Sequence, residues 1–242
     1  MNTLAIDIGN SNIVFGLFNN KKLLKVWRCE TAKPKYPKTT AKIDKIIIAS
    51  VVPAINNKLS AAIKTKYKVL PHFITINDFK GIKTALKNKN EIGADRIVDV
   101  FAALEIYGAP AIIIDFGTAT TFDVIDTNGT YLGGVIAPGI TLSRDSLHEK
   151  TAKLPRIDIK APKNVIGNST LEAMRSGIVY GYVAMVEGLL QRIISELPSP
   201  NSKTKIIATG GLAELICKHT DVVDTIDKDL TLKGLQMIGE II

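Results

Sequence analysis

Two short motifs of the same kind stand 108 residues apart in this chain. In each, an apolar run ends in Asp-x-Gly and is followed by small polar residues, at Asp7 and at Asp115. A glycine turn between two strands presents backbone N–H groups that can hold phosphate oxygens. The two carboxylates could hold a hard cation, which would offset phosphate charge during phosphoryl transfer. The pair indicates nucleotide phosphate chemistry, although one copy by itself is more typical of an ordinary hairpin turn.

A third glycine-rich turn and several hydroxyls accompany these motifs. Near the C-terminus, an apolar run passes into Thr209-Gly210-Gly211 and is followed by a helical pattern. A flat ring can lie against glycine backbone, which suits an adenine pocket; the alternative is a plain strand-to-helix turn. The hydroxyls that would add donors at the first two turns are those of Ser11, Thr118, Thr120 and Thr121.

The apolar runs predict the elements that must position these motifs. Tight turns at Gly9-Asn10 and Asn19-Asn20 join the first three strands. Apolar residues at a spacing of four predict a helix over 54–67, and another helix begins near Asp95. The predicted strands are 3–8, 13–18, 23–27, 45–52, 68–76, 111–115, 122–125 and 206–209.

The recurrence of strand, Asp-x-Gly turn and strand at nearly half the chain length indicates an internal duplication. We expect two similar halves, residues 1–108 and 109–242, with a boundary near Gly108-Ala109-Pro110. Two phosphate hairpins with a late Thr-Gly-Gly resemble the actin, hexokinase and Hsp70 ATPase fold. The predicted fold class is therefore α/β, with two actin-like (ribonuclease H-like) halves. Each half would be a mixed sheet with helices, and a nucleotide cleft would lie between them.

Composition and charge exclude other classes of protein. The chain has 242 residues, and 46% of them are hydrophobic, which is enough for a buried core. The formal net charge of +8 arises in residues 21–90, which carry 17 basic and 3 acidic side chains. All of those basic residues except Arg28 are lysines, whereas nucleic-acid surfaces rely on arginine and aromatic residues. We expect a lysine-rich surface and no nucleic-acid partner.

The cysteines and histidines argue against a disulfide framework and a zinc site. Cys29 and Cys217 form no CxxC pair, and the three histidines have no companion at metal-ligand spacing.

Asp7 interrupts the first apolar run, so no signal peptide is expected. The apolar run at 177–186 is too short to span a bilayer. These features predict a cytoplasmic protein with no membrane partner.

Further motifs occur in the order in which one known family has them. The chain resembles the type III pantothenate kinases from residue 4 to residue 235, and the joint occurrence is specific although each motif alone is weak. The segments that carry the resemblance are Ser50-Val51-Val52-Pro53, Gly93-Ala94-Asp95-Arg96, 115–121, 133–139, 177–181 and 229–235.

The resemblance implies an activity, cofactors and an assembly. The activity is ATP-dependent phosphorylation of pantothenate to 4'-phosphopantothenate, the first step of coenzyme A biosynthesis. The cofactors are ATP, Mg²⁺ and a monovalent cation, K⁺ or NH₄⁺. A homodimer is implied as well, and Gly177 and Gly181 suggest close helix packing, either within the chain or across such a dimer.

The family pattern also assigns roles to residues of this chain. Asp95 would be the catalytic proton acceptor, Asp115 would bind the monovalent cation, and Asp7 would bind Mg²⁺ through the phosphates. The implied substrate-binding residues are Gly93, Ala94, Asp95, Arg96 and Thr170. The implied ATP-binding residues are Asp7, Ile8, Gly9, Asn10, Ser11, Asn12, Ile13, Val14 and Thr118.

Two of these residues also match the signals that begin a helix. Asp95 stands where a helix N-cap is expected, and one carboxylate could serve both as cap and as proton acceptor. The N-terminal end of the helix would favour its ionised form at neutral pH. Ser169 and Glu172 form a capping-box pattern around Thr170, so Thr170 could simply begin a helix.

Two features depart from the family pattern. The family usually has a tyrosine nine residues before the motif's Asp, and Leu86 stands there in this chain, where it cannot donate a hydrogen bond. The family's helix after the third strand is replaced by residues 30–44, which contain Pro34 and Pro37 and are too few for a full helix. One face of the first sheet is therefore expected to be less covered, or covered by a partner subunit.

Two alternatives stay open beside pantothenate phosphorylation. The substitution at Leu86 is compatible with a kinase of the same fold that phosphorylates another small hydroxyl compound. A catalytically silent nucleotide-binding accessory protein is the second alternative, and the intact Asp7, Asp95 and Asp115 speak against it.

Overall fold

The computed structural model describes residues 1–79, 82–197 and 203–242. Its strands are β1 (Asn2–Ile8), β2 (Asn12–Asn19), β3 (Lys22–Glu30), β4 (Lys45–Ser50), β5 (His72–Phe73), β6 (Lys83–Thr84), β7 (Ala111–Phe116), β8 (Ala119–Ile125), β9 (Thr130–Pro138), β10 (Lys205–Thr209) and β11 (Thr225–Ile226). Its α-helices are α1 (Pro53–Tyr67), α2 (Ala94–Tyr107), α3 (Ile140–Glu149), α4 (Thr170–Glu196), α5 (Ala213–Cys217) and α6 (Leu230–Ile241).

The chain divides into two compact units. Unit 1 comprises Met1–Gly108 and Asp229–Ile242, and unit 2 comprises Ala109–Lys228. Residues 229–242 were expected in the second half, whereas the structure assigns α6 to unit 1. The physical reason is packing: the apolar face of α6 lies against α2, β1 and β4. An amphipathic helix is placed by the surface that buries its apolar stripe and not by its position in the chain.

The sheets of the two units have the same strand order. The order is β3-β2-β1-β4-β5 in unit 1 and β9-β8-β7-β10-β11 in unit 2. In each unit the first three strands are antiparallel, and the fourth runs parallel to the first. This shared order confirms the prediction of two similar α/β units with mixed sheets.

Apolar side chains cover both faces of the sheet in unit 1. Along β4, Ile46 and Ile48 face α1, and Ile47 faces the opposite side, where α2 and α6 pack. This alternation follows from the two-residue period of a strand, and it explains why β4 is a continuous apolar run. Helix α1 contributes Leu59 and Ile63 to the first face.

The segment between β3 and β4 contains no helix and nevertheless covers the sheet. Tyr36, Ala41 and Ile43 of this segment pack on the same face as α1, and Ile43 is only 4% exposed. The hydroxyl of Tyr67, at the end of α1, donates a 2.7 Å hydrogen bond to the carbonyl of Pro37. The expectation that this face is less covered or needs a partner subunit is therefore corrected, because the extended segment buries its own apolar residues there.

The strand predicted over residues 68–76 is much shorter in the structure. Lys68 ends α1 in the left-handed conformation (φ 60°), with its N–H bonded to the carbonyl of Lys64. Only His72–Phe73 pairs with β4. A 3₁₀ turn follows at Ile76–Asp78, where Thr75 and the Asp78 carboxylate form a capping box. The backbone N–H groups of Lys68 and Thr75 are bonded within these caps, so they do not pair with β4 as they would in a longer strand.

One face of the long helix α4 packs into the core of unit 2. Its buried residues, among them Met174, Val179 and Val186, pack with Ile112 and Ile114 of β7. By length and composition alone α4 could cross a membrane, since its mean hydropathy reaches 1.2. The helix extends on both sides of the apolar run at 177–186, which by itself is too short to do so. A single helix of this kind is a weak indication, because core helices of soluble proteins have the same character.

Candidate functional site

The first Asp-x-Gly turn is held closed by hydrogen bonds from its own backbone and from the end of β3. The Gly9 N–H donates to the Asn12 carbonyl at 2.9 Å. Thr31 bonds the turn twice, through its hydroxyl to the Gly9 carbonyl (2.7 Å) and through its N–H to the Ser11 carbonyl (3.0 Å). Asn10 and Ser11 remain exposed at the tip. These bonds fix the backbone of the turn, and its polar tip is exposed.

Of the eight residues predicted to bind ATP in this turn, two have buried side chains and the other six are at least partly accessible. Ile8 and Ile13 are cross-strand partners with fully buried side chains, so only their backbone could face a ligand. Asp7 is half-buried and pairs with Val14 one step further from the tip. Because side chains alternate along a strand, Asp7 points to the sheet face opposite the buried isoleucines.

The second Asp-x-Gly turn is tighter than the first. The Gly117 N–H donates to the Ala119 carbonyl at 3.1 Å, and Thr118 lies exposed at the tip. Gly139, just before α3, donates its N–H to the Thr118 carbonyl at 3.1 Å. A β-carbon at position 139 would collide with that carbonyl and lie 2.7 Å from the Gly117 oxygen. Gly139 thus allows the start of α3 to approach the turn directly.

The carboxylate of Asp115 lies between two glycines. A β-carbon at Gly117 would be 3.2 Å from its Oδ2 atom, and one at Gly210 would collide with its Oδ1 atom. Gly210 has a φ of +89°, which other residues rarely adopt. Thr209 is the register partner of Asp115 across the parallel β10–β7 pair. The predicted third motif therefore lies beside the second, within unit 2.

Two hydroxyls predicted as phosphate donors have hydrogen-bond partners within the protein. Thr120 is fully buried, and its Oγ1 forms a hydrogen bond with the hydroxyl of Tyr182. The Thr121 hydroxyl donates to the carboxylate of Asp123 at 3.4 Å. The sheet alternation turns Thr120 into the core, which the sequence pattern of consecutive threonines does not reveal.

The loop at the start of α2 places Asp95 inside the first turn of the helix and not at its N-cap. Gly93 is the N-cap, because its carbonyl accepts the first helical hydrogen bond from the Ile97 N–H at 3.2 Å. Asp95 is the second helical residue, and its Oδ1 accepts the Arg96 N–H at 2.8 Å. The carboxylate folds back over Gly93, where a β-carbon would lie 2.5 Å from Oδ1. The N-cap expectation is corrected, and the side chain remains partly accessible.

Within unit 1 the structure connects the first turn and the loop of Asp95 through Val51. The Val51 N–H donates to the Ile8 carbonyl at 3.0 Å, and its side chain lies next to Gly93. Ser50 beside it bonds Asn56 at the start of α1 (2.7 Å). The Ser-Val-Val-Pro segment therefore has a positional role, which its residue types alone do not reveal.

Thr170 begins α4, as the capping-box pattern predicts. The Ser169 hydroxyl accepts the Glu172 N–H at 3.2 Å, and the Glu172 carboxylate accepts the Asn168 N–H at 3.1 Å. A cavity of about 530 Å³ lies beside Thr170. Its wall is mainly apolar, with the hydroxyls of Ser143 and Thr170 as its polar groups: Ser143, Leu147, Leu154, Thr170, Ala173, Met174, Gly177 and Ile178.

Leu86 lies in the segment between β6 and α2. Its side chain is half-buried, and its backbone N–H donates to the Thr84 hydroxyl at 3.1 Å. An aliphatic side chain at this position can pack but cannot form a hydrogen bond. Compared with the tyrosine of the family pattern, Leu86 therefore lacks a polar group.

The described residues contain no group of three or more histidine, cysteine or acidic side chains that could hold a metal ion by themselves. A cation at Asp7 or Asp115 would need further oxygen ligands from phosphates, hydroxyls or backbone. Thr209 offers such an oxygen, since its buried Oγ1 has no hydrogen-bond partner among the described residues. The surroundings of Asp115 therefore fit a hard cation.

Comparison with known proteins identifies the family. A sequence model of the type III pantothenate kinase family matches residues 3–192. The chain is 43% identical over 250 aligned positions to the type III pantothenate kinase of Halalkalibacterium halodurans, and the match covers 97% of each chain.

Solved structures show the same fold at lower identity. A Campylobacter jejuni protein described as a Baf family transcriptional activator superposes with a TM-score of 0.62 at 22% identity, covering 98% of both chains. The activator of 2-hydroxyisocaproyl-CoA dehydratase from Clostridium difficile, solved with bound ADPNP, superposes with a TM-score of 0.51 at 12% identity, covering 99% of this chain and 93% of that chain. The sequence matches, together with the two Asp-x-Gly units, show that this chain belongs to the type III pantothenate kinase family.

Proposed function

We propose that this chain phosphorylates pantothenate with ATP and yields 4'-phosphopantothenate, the entry step of coenzyme A biosynthesis. The observation that carries the proposal is the 43% identity to a type III pantothenate kinase over nearly the whole chain. The two ordered glycine turns and the partly accessible Asp95 supply the groups that such a reaction needs.

The two turns would hold the phosphates of ATP. The exposed tips at Asn10, Ser11 and Thr118 carry side-chain donors, and the glycines leave the backbone open to approach. Phosphoryl transfer depends mainly on positioning and charge stabilisation, so rigid turns are the main contribution of the protein. The bonds from Thr31 and Gly139 fix the two turns in advance.

Asp95 would act on the hydroxyl of pantothenate. As the hydroxyl oxygen bonds to the γ-phosphorus, the bond to the bridging oxygen of ADP breaks, and the hydroxyl proton passes to the Asp95 carboxylate. The first turn of α2 favours a negative charge at this position. The other residues proposed to bind pantothenate are Gly93, Ala94, Arg96 and Thr170.

The cations would act by charge compensation. Mg²⁺ would be held by the phosphates, with Asp7 as its protein partner, and would neutralise charge on the transferred group. A monovalent cation, K⁺ or NH₄⁺, would lie at Asp115, where the buried hydroxyl of Thr209 provides a second oxygen.

The enzyme would form a homodimer through the outer face of α4. Gly177 and Gly181 are exposed there, and a β-carbon at either position would meet no atom of the described chain within 4 Å. Val165 and Ile166 lie just before the helix and are 67% and 89% exposed. A second copy would bury these apolar side chains against the small-residue face.

The location of the enzyme would be the cytoplasm, where coenzyme A is made from pantothenate.

The decisive experiment is a phosphorylation assay with the purified full chain. ATP, Mg²⁺ and pantothenate are supplied with and without K⁺ or NH₄⁺, and the product is detected by mass spectrometry. We expect 4'-phosphopantothenate, with a higher rate when the monovalent cation is present. Absence of product under all conditions would contradict the proposal.

A panel of other small hydroxyl compounds tests the alternative that Leu86 suggests. Faster phosphorylation of one of them than of pantothenate would assign a different substrate.

A further inference from the structure

A tyrosine in the core of unit 2 contacts the base of the second turn. Tyr182, on α4, is 6% exposed, and its hydroxyl forms a hydrogen bond with Oγ1 of the fully buried Thr120. The ring of Tyr182 also packs against Phe116, with ring centroids 6.3 Å apart at an interplanar angle of 52°. One side chain thus makes a polar and an apolar contact with the same hairpin.

The two contacted residues define where the turn begins. Phe116 and Thr120 are the last cross-strand pair between β7 and β8, and only Gly117, Thr118 and Ala119 lie between them. A three-residue turn has little freedom of its own when both ends are fixed. Because Tyr182 contacts both ends, it fixes the turn relative to the core helix.

The hydroxyl of Tyr182 also lies near the charged and polar groups of the site. Burial is the largest effect on the pKa of Tyr182 and raises it, and the negative charge of Asp115 raises it further. Hydrogen bonds with the Thr120 side chain and the Ile140 backbone lower the pKa in part. The net effect is a raised pKa, so the hydroxyl is protonated at neutral pH and acts only through hydrogen bonding. Ile140 begins α3 directly after Gly139, so the phenol lies where the turn, Asp115 and α3 approach one another.

We propose that Tyr182 is a positioning residue for phosphoryl transfer, acting through Thr120 to fix the Gly117–Thr118 turn. The proposal rests on the proposed role of this turn in binding the phosphates of ATP. A turn released from its anchor must be ordered again when ATP binds, and that cost appears as weaker nucleotide binding. The substitution tested below removes one hydroxyl and leaves the backbone of α4 in place, so the contacts of Thr170 and of the Gly93–Arg96 loop with pantothenate are expected to be unchanged.

The test compares two tyrosines on the same helix in the full chain. Tyr182→Phe removes the hydroxyl and keeps the ring against Phe116. Tyr180→Phe is the matched control, because its hydroxyl donates to the Pro162 carbonyl at 2.7 Å, a contact with a different segment. We expect Tyr182→Phe to raise the KM for ATP roughly three- to tenfold, the effect of one lost hydrogen bond, with the KM for pantothenate unchanged. Tyr180→Phe should leave both KM values unchanged.

A second pair of variants separates positioning from stability. Thr120→Ser keeps the hydroxyl and should retain the wild-type KM for ATP, whereas Thr120→Val should raise it as Tyr182→Phe does. The double variant Tyr182→Phe/Thr120→Val should be no worse than Tyr182→Phe alone, because Tyr182→Phe already removes the hydrogen bond that Thr120→Val would remove. A lower Tm with an unchanged KM for ATP in Tyr182→Phe and Thr120→Val would overturn the proposal.

Calorimetric binding of ADPNP keeps this proposal distinct from the proposed function. If the wild type binds ADPNP more tightly than Tyr182→Phe but does not phosphorylate pantothenate, the proposed substrate is wrong and the role of Tyr182 stands. If pantothenate is phosphorylated and all variants bind ADPNP equally, the function stands and the role of Tyr182 is wrong.

Discussion

The Oδ1 atom of Asp115 occupies the space in which a β-carbon of residue 210 would lie. The two residues meet because β10 runs parallel to β7 with Thr209 in register with Asp115, so Gly210 follows directly beside the carboxylate. The backbone of Phe116 is close as well, 2.7 Å from that same β-carbon position. The late glycine motif therefore has a packing function at the second turn, besides any contact with a nucleotide.

Replacement of Gly210 by alanine should destabilise the protein and displace Asp115. The positive φ of +89° and the collision with the carboxylate together are expected to lower the free energy of unfolding by about 2–4 kcal/mol. Urea denaturation measures the change. Gly108→Ala is the matched control, since residue 108 also has a positive φ of +80° but a β-carbon there meets no atom within 4 Å. The control strains the backbone without a collision and should therefore cost less stability than Gly210→Ala. Equal stability of both variants would contradict the packing function of Gly210.

Asp95→Asn should abolish most turnover without unfolding the protein. The amide keeps the shape that folds over Gly93 but cannot accept the substrate proton, so kcat should fall by roughly 10²-fold or more. Glu91→Gln is the matched control, because this exposed carboxylate of the same segment accepts a bond from Asn88 at 2.9 Å. Steady-state kinetics and thermal denaturation are measured together. Wild-type kcat in Asp95→Asn would remove Asp95 from the role of proton acceptor.

Tyr67→Phe should lower the free energy of unfolding at neutral pH. The variant should also lose less stability than the wild type when the pH becomes alkaline. The hydroxyl donates to the Pro37 carbonyl, so its removal should cost about 0.5–1.5 kcal/mol at neutral pH. Burial, followed by the nearby Tyr36, raises the pKa of Tyr67 from 10.0 to about 12 in the folded protein. The folded state therefore holds this proton more tightly, and its contribution to stability is complete below pH 10 and declines as the pH rises toward 12.

Urea denaturation of wild type and Tyr67→Phe as a function of pH measures both effects. The matched control at neutral pH is Tyr36→Phe, a half-buried tyrosine of the same cluster whose ring the substitution retains. A Tyr67→Phe variant with the same alkaline decline as the wild type would show that this hydroxyl is not responsible.

Ile166→Asp should weaken the proposed homodimer. Placing a charge on an apolar residue that is 89% exposed leaves the monomer fold intact but disfavours burial in an interface. The dimer dissociation constant is expected to rise roughly tenfold or more, which light scattering after size exclusion can measure. Leu70→Asp is the control, since Leu70 is 71% exposed and lies in unit 1. An unchanged Kd for Ile166→Asp would place the interface elsewhere.

Local sequence signals were sufficient for the elements that position the two turns. The alternation of apolar residues and the Gly and Asn turns predicted β1, β2 and β7 to within one residue of their observed bounds, because hairpins are decided by neighbouring residues. The strand predicted over 122–125 is longer in the structure, where β8 begins at Ala119. The capping-box pattern likewise predicted the start of α4 at Thr170. The repeated motif predicted two similar units, and the shared strand order agrees.

Other features depended on contacts between distant segments and could not be predicted in this way. Nothing local distinguishes Thr120, which is buried against Tyr182, from the exposed Thr118. The segment between β3 and β4 has no regular pattern, yet its Ile43 is buried because the sheet offers an apolar face. The position of Asp95 within α2 depended on which carbonyl accepts the first helical hydrogen bond.

The sequence by itself determined the chemistry available to this protein: two Asp-x-Gly turns, an Asp near the start of a helix, and a late pair of glycines. Only the tertiary structure decided which of these groups are neighbours. It placed Gly210 against Asp115, Val51 between the first turn and Gly93, and Tyr182 beneath the second turn. The physical reason is that residue type and local spacing fix backbone conformation, whereas burial of apolar surface selects which distant strands and helices pack together.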